Sequence, residues 1–112
     1  MRDELNFYIN GEWVESDSSE TIEVVNPANE EIIGHVTAGS KQDINSAVMA
    51  ANEAFKLFSQ TSKNERIAYL EAIIKEYENR YQDFVDTITL EMGAPTWLSN
   101  RAQASTGIKN FN

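Results

Sequence analysis

The chain has 112 residues, of which 41% are hydrophobic and 10% aromatic, enough for one small domain with one core and too apolar for a disordered chain. Nine lysines and arginines against eighteen aspartates and glutamates give a formal charge of -9, which would repel nucleic acid and anionic membrane surfaces. No run of about 20 apolar residues could span a membrane, and the absence of cysteine excludes a disulfide framework, a thiolate metal cluster and a thiol nucleophile.

The first hairpin is predicted between residues 7 and 14. Strand-forming residues at 7–9 and 13–14 flank Asn10 and Gly11. This dipeptide tolerates the positive φ angles of a two-residue turn, so the pattern predicts an antiparallel pair.

A second hairpin is predicted from two β-rich runs, 21–25 and 31–37, because the intervening residues 26–30 include proline and two asparagines. Proline fixes φ and asparagine tolerates turns. The partial alternation of apolar residues predicts that one face of this hairpin is buried. We therefore assign residues 1–38 to two antiparallel β-hairpins.

Three helices are predicted after residue 38. The first covers 40–59 and the second, a single long helix, covers 62–92; Ser40 with Asp43 and Ser62 with Glu65 give each a capping-box start. Each carries apolar residues at steps of three and four, the stripe of an amphipathic helix. Gly93 ends the long helix. A third helix is predicted at 95–112, and it is expected to be unfinished because no stop signal follows its last apolar residue.

A search for catalytic residues finds little. His35 is the only histidine, and we expect it to face solvent from a strand rather than to act as a base or a metal ligand. There is no glycine-rich phosphate loop. Glutamate pairs at 30–31 and 76–78 are expected to be solvated acids, and the stripe from residue 67 to 88 is expected to pack in a larger core rather than in a coiled coil. Four aromatic residues could form a platform for base stacking, but no basic groove accompanies them. Packing is therefore the expected role of Tyr69, Tyr77, Tyr81 and Trp97.

Four stretches of this sequence resemble the aldehyde dehydrogenase superfamily, in the same order and over nearly the whole chain. They are residues 8–14 (YINGEWV), 25–34 (VNPANEEIIG), 65–66 (ER) and 89–95 (TLEMGAP). Many members carry lysine where this chain has Ala94, a departure that concerns subfamily only. The resemblance implies an α/β parent protein in which residues 1–112 are the amino-terminal part of the cofactor-binding domain.

The resemblance further implies an enzyme that oxidises an aldehyde to a carboxylic acid. In the family, a cysteine thiolate attacks the carbonyl, hydride passes to NAD or NADP, and a glutamate-activated water hydrolyses the thioester. This chain has no cysteine. We therefore assign it no catalytic and no cofactor-binding residue, and expect NAD or NADP to be bound only by the intact parent.

One binding site is carried over from the family. Some members hold a structural monovalent cation through main-chain oxygens before the Asn-Pro turn and an acidic residue before the helix-ending glycine, which correspond here to Val24, Val25 and Glu91. Such oxygens are suitable ligands for a hard cation. The site is a hypothesis drawn from the resemblance.

The expected partners are the remainder of the dehydrogenase chain and a small-molecule aldehyde, with neither nucleic acid nor membrane. We expect a cytoplasmic homo-oligomer, a dimer or tetramer as is usual in the family. The alternative, from another functional class, is a stand-alone acidic helical module that binds a protein partner through its apolar stripes and has no enzymatic activity.

Overall fold

The computed structural model describes residues 2–111. Instead of the single core expected from the length, these residues form two compact units: 2–24 with 32–61, and 25–31 with 62–111. The strands are β1 (Arg2–Glu4), β2 (Asn6–Ile9), β3 (Glu12–Glu15), β4 (Thr21–Asn26) and β5 (Glu31–Thr37). The helices are α1 (Lys41–Phe58), α2 (Lys63–Asn79), α3 (Tyr81–Met92), α4 (Thr96–Leu98), a π-helical segment (Ser99–Ala104) and α5 (Ser105–Phe111).

Both predicted hairpins are present, and a further strand joins one of them. β4 and β5 are neighbours linked by a short turn, which only antiparallel strands permit. β1 pairs parallel to β5, with Asp3 opposite His35, so that the sheet order is β1-β5-β4. The prediction of antiparallel hairpins alone is therefore incomplete, and this sheet is mixed. Residues 2–4 (RDE) lack the β-branched and aromatic residues that signal a strand.

The hairpin of β2 and β3 forms its own two-stranded sheet, with Tyr8 opposite Trp13. Its two-residue loop has φ of 55° at Asn10 and 83° at Gly11, the positive values of a type I′ turn. This confirms the turn predicted from the Asn-Gly dipeptide. The β2 strand contacts α1, and the Phe7 ring lies against Gly39, just before that helix.

Helix α1 begins as predicted from Ser40 and Asp43. The Asp43 backbone N–H donates to the Ser40 hydroxyl, and the Ser40 backbone N–H donates to the Asp43 carboxylate. The loop between β3 and β4 is tied to the same turn, since the Ser16 hydroxyl donates to Asp43 at 2.5 Å and the Ser40 hydroxyl donates to Asp17. The hydrogen bonds from the Ser16 hydroxyl and the Ser40 backbone N–H lower the pKa of Asp43, the one from Ser16 most. The cap thus fixes where α1 begins.

The long helix predicted over 62–92 is two helices, which corrects the sequence prediction. Helix α2 begins at the predicted capping box of Ser62 and Glu65, but it ends at Asn79, and Arg80 has φ -107° and ψ 17°, outside helical values. Asparagine favours non-helical local conformations, which explains a break here despite the continuing apolar stripe. Helix α3 then runs to Gly93, which ends it in the left-handed conformation, as predicted.

The last predicted helix, 95–112, is helical through residue 111, but it contains the six-residue π-helical segment; residue 112 lies outside the described residues. The fully buried side chains of the second unit are Val85 of α3 and Ser99 and Ala104 of the π-helical segment. Two tyrosine hydroxyls donate to backbone carbonyls of that segment: Tyr77 to Ala104 at 2.9 Å and Tyr81 to Asn100. α2 and α3 thereby hold a segment whose carbonyl pattern departs from the α-helix.

Tyr77 is also packed on two other sides. Its ring stacks on Phe84 with centroids 4.0 Å apart, and Gly107 of α5 lies against the hydroxyl end. A Cβ at Gly107 would be 2.5 Å from the Tyr77 hydroxyl oxygen, closer than any ordinary contact. The tyrosines therefore serve packing, as predicted for Tyr77 and Tyr81.

Gly107→Ala should destabilise the second unit by about 1–3 kcal/mol, because overpacking against a ring held by Phe84 outweighs the gain in helix propensity. Asn110→Ala, at an exposed position of the same helix, is the matched control and should be neutral or slightly stabilising. The midpoint of urea unfolding, followed by helical circular dichroism, measures both. Equal midpoints for the two variants would contradict the packing described.

Candidate functional site

The turn between β4 and β5 is locally rigid. The Asn26 side-chain oxygen accepts from the Ala28 N–H at 2.9 Å, and the Glu30 N–H donates to the Asn26 carbonyl at 2.8 Å. Asn29 then bonds twice to Glu31, through its amide and its side-chain oxygen. Asparagine side chains close such turns by replacing a backbone acceptor, which is why this sequence folds here without help from distant residues.

Gly93 meets this turn within the second unit. A Cβ at Gly93 would lie 3.0 Å from both the Ala28 nitrogen and the Pro27 Cγ, and its φ of 62° is in the left-handed region. Glycine is thus required twice, for backbone conformation and for close approach. We call this contact of Pro27 and Ala28 with Gly93 the Pro27–Gly93 junction. Sequence reasoning identified both parts separately and missed that they touch, because nothing local to either part encodes the contact.

His35 is in a strand, as predicted, but its side chain is only 28% exposed and its Nδ1 lies 3.0 Å from an Asp3 carboxylate oxygen. The same oxygen accepts the His35 backbone N–H at 3.0 Å. The pKa of Asp3 is lowered, first by the hydrogen bond with the His35 ring and then by the backbone N–H, which together outweigh desolvation. This pair joins β1 to β5 and is a structural contact between strands.

The residues predicted to bind a cation lie in β4 and α3. Val24 is half-buried, while Val25 and Glu91 are exposed. Carbonyls of successive residues in a regular strand point to opposite edges, and β4 has a neighbour on one side only. The strand geometry therefore offers one of the two valine carbonyls, rather than both, at the open edge. The cation site stays a prediction.

Within residues 2–111, no group of three or more histidine or acidic side chains is arranged to hold a metal ion. The helices in that range are all too short or too polar to cross a membrane. The chain has no cysteine, and its one histidine is paired with Asp3. The candidate functional surface is therefore the exposed apolar surface of the chain.

Helices α1 and α2 bury none of their residues. The exposed large apolar residues of α1 are Ile44, Val48, Met49, Phe55, Leu57 and Phe58, with Leu57 79% exposed and Phe55 65% exposed. In α2 they are Ile67, Tyr69, Leu70 and Ile73. Solitary exposed apolar residues are normal, but two helices carrying such series are typical of surfaces that another polypeptide covers.

The exposed area supports the same interpretation. The chain exposes 8594 Å², whereas a compact protein of its mass would expose roughly 6,200 Å². Even two separate compact bodies of half that mass would together expose roughly 7,500 Å². The excess of at least about 1,100 Å² is larger than the about 800 Å² that one partner contributes to a standard protein interface.

Comparison with known proteins agrees with the sequence resemblance. The sequence profile of the aldehyde dehydrogenase family matches residues 13–112. A curated relative described as "Putative aldehyde dehydrogenase", from Staphylococcus aureus (strain bovine RF122 / ET3-1), is 55% identical over 111 residues. That alignment covers 99% of this chain and 23% of the relative, so the chain spans about a quarter of the length of the relatives it matches.

Solved structures show the same fold. The crystal structure of an aldehyde dehydrogenase from Bartonella henselae superimposes with a TM-score of 0.96 and 36% identity, over 99% of this chain and 23% of that one. Aldehyde dehydrogenase C from Pseudomonas syringae, in complex with NAD+ and octanal, superimposes with a TM-score of 0.92 and 36% identity, over 95% of this chain and 22% of that one.

Gly93→Ala should destabilise its unit more than Gly11→Ala destabilises the β2–β3 hairpin. Both glycines have positive φ, which costs a side chain about 1–3 kcal/mol. A Cβ at Gly11 would have nothing within 4 Å, whereas one at Gly93 would press on the turn, so the difference isolates the Pro27–Gly93 junction. Urea unfolding of both variants is the measurement, and an equal loss would show that the junction contributes nothing.

The β1–β5 pairing should depend on the charge of Asp3. Because the pKa of Asp3 is lowered by folding, its contribution is present above the pKa of aspartate in the unfolded chain and is lost as pH falls through the lowered folded value. In an NMR titration, the His35 backbone amide, which donates to Asp3, should shift with a midpoint below the ordinary pKa of aspartate. Asp3→Asn should abolish this shift, and Glu12→Gln, an exposed control, should leave it unchanged. A midpoint at or above the ordinary value would contradict the pairing.

Proposed function

Because the chain belongs to the aldehyde dehydrogenase family, we propose that it is the amino-terminal part of the cofactor domain of an NAD(P)-dependent aldehyde dehydrogenase. Its role in that enzyme is structural: the apolar faces of α1 and α2 receive the remainder of the enzyme. The chain itself performs none of the chemistry.

The observation that carries this proposal is the uncovered apolar surface. The two helices bury no residue, and the exposed area exceeds that of compact bodies of this mass by more than one side of a standard interface. The relatives that share this fold are about four times as long, and the chain corresponds to 23% of the first of them. The additional polypeptide in those relatives is the proposed cover.

The residues of this chain do not fit a nucleotide. The sequence has no glycine-rich phosphate loop, and its formal charge of -9 disfavours a pyrophosphate. We therefore assign NAD or NADP to the remainder of the parent enzyme. This chain supplies a structural support with fixed turns. The capping boxes at Ser40 and Ser62 fix where two helices begin, and the Pro27–Gly93 junction fixes where α3 ends against the turn.

The reaction proposed for the parent is oxidation of an aldehyde to a carboxylic acid, with hydride transfer to the nicotinamide cofactor. Octanal and NAD+ are bound by the Pseudomonas syringae neighbour, which makes them the first pair to assay. We also propose that the parent is a cytoplasmic homo-oligomer, a dimer or tetramer; the cysteine-free sequence suits a reducing compartment. Cell fractionation and native mass measurement test these two points.

A chimaera tests the structural role. Residues 1–112 of this chain should replace the matching segment of the Staphylococcus aureus relative with NAD-dependent aldehyde oxidation retained within about tenfold, a loss of about 1.4 kcal/mol or less. In the same chimaera, Val48→Asp should reduce soluble active enzyme strongly, because a charge placed in a covered apolar interface costs several kcal/mol.

Ser46→Asp is the matched control, since it places the same charge two residues away on another exposed side of α1. It should leave yield and activity unchanged. An active chimaera that tolerates Val48→Asp as well as Ser46→Asp would contradict the proposed cover over α1. Aldehyde oxidation by the 112-residue chain alone would contradict the absence of catalytic residues from it.

A further inference from the structure

The Asn10–Gly11 turn is chemically distinct from the other asparagine sites of this protein. Of the eleven asparagines, only Asn10 is followed by glycine. Both residues are exposed at the tip of the β2–β3 hairpin, and there is no atom within 4 Å of the position that a Cβ on Gly11 would occupy. We propose that Asn10 is a site of spontaneous deamidation, which converts it to isoaspartate and aspartate.

The reaction needs only this dipeptide and water. The Gly11 backbone nitrogen loses its proton to solvent base and forms a bond to the Asn10 Cγ, and the side-chain nitrogen leaves as ammonia. The product is a five-membered succinimide. Water then adds to one of its two carbonyls and breaks one C–N bond, which gives isoaspartate or aspartate. No oxidant, reductant or enzyme takes part. Glycine favours the first step because no side chain obstructs its nitrogen.

Two other turn asparagines are protected from this reaction in ways that Asn10 is not. Asn26 precedes Pro27, whose nitrogen carries no proton and cannot form the ring, and its side chain accepts from Ala28 at 2.9 Å. Asn29 precedes Glu30, whose side chain shields the nitrogen, and its own amide donates to Glu31 at 2.8 Å. Both therefore serve as internal controls for the reactivity of Asn10.

The hairpin determines how the reaction proceeds and what it does. Ring closure requires rotation about the Asn10 backbone, which the closed turn restricts, so the reaction occurs when the tip opens. A two-stranded sheet is only marginally stable, and β2 is held to the rest of its unit near Phe7 rather than at the tip. Isoaspartate then adds a methylene to the main chain and a carboxylate beside Glu12. A two-residue turn has no room for the longer backbone, so the tip should not close again.

The experiment is incubation of the purified chain at mildly alkaline pH, followed by peptide mapping with fragment ions that locate each asparagine. Asn10 should gain about 1 Da, as an amide becomes an acid, while Asn26 and Asn29 stay unchanged over the same period. Its rate should exceed that of Asn29 at least about tenfold, which is about 1.4 kcal/mol in activation free energy. The Asn10→Gly variant, which keeps a turn of two residues with positive φ, should show no gain at this site.

A second readout follows the tip. In a Trp97→Phe background, the emission of Trp13, whose ring lies 5.2 Å from that of Tyr8, should shift in step with the mass gain and stay constant in the Asn10→Gly chain. Conversion of Asn29 as fast as Asn10, or an intact Asn10 throughout, would overturn the assignment. Conversion without a change at Trp13 would overturn the effect on the hairpin.

Discussion

This structure is dominated by apolar surface that the chain cannot cover by itself. Helices α1 and α2 have 18 and 17 residues, and none of their side chains is fully buried. Fully buried apolar side chains among the described residues are limited to Val85 and Ala104. Burial of apolar area contributes about 25 cal/mol per Å² to the free energy of unfolding. A structure with so little buried apolar surface therefore draws most of its stability from other interactions. The chain belongs to a family whose related chains are about four times as long, and the additional polypeptide in those relatives is the proposed cover.

Local interactions determine where the helices begin and how the hairpins turn, because little burial is available to do so. Two capping boxes begin the long helices, an Asn-Gly turn closes one hairpin, and asparagine hydrogen bonds close the other. Each requires only neighbours in sequence, so each can form before any large interface exists. Tertiary contacts then determine the packing between helices. For example, the Tyr77 hydroxyl donates to the Ala104 carbonyl and leaves no room for a side chain at Gly107. A part with such local order can be presented correctly to the polypeptide that covers it.

The sequence predicted what is encoded locally. The helix starts at Ser40 and Ser62, the end at Gly93 and both hairpin turns were correct, because each depends on residues a few positions apart. Most of what it did not predict depends on distant residues. Strand β1 exists through pairing with β5, and the π-helical segment is held by tyrosines of other helices. The Pro27–Gly93 junction was missed for the same reason, and the proposed ligands Val24, Val25 and Glu91 rest on the family resemblance alone. The break at Arg80 was missed for a different reason, because the apolar stripe continues across it.

Carbene footprinting of α1 measures whether another polypeptide covers this helix, since it labels apolar side chains wherever solvent reaches them. We expect strong labelling of Ile44, Val48 and Phe55 in the isolated chain, where each is more than half exposed. In an active enzyme that contains this segment, the same three side chains should be protected several-fold, while the exposed hairpin residue Trp13 serves as a reference. Equal labelling of these three side chains in both proteins would show that nothing covers this helix, and the proposed structural role of α1 would be wrong.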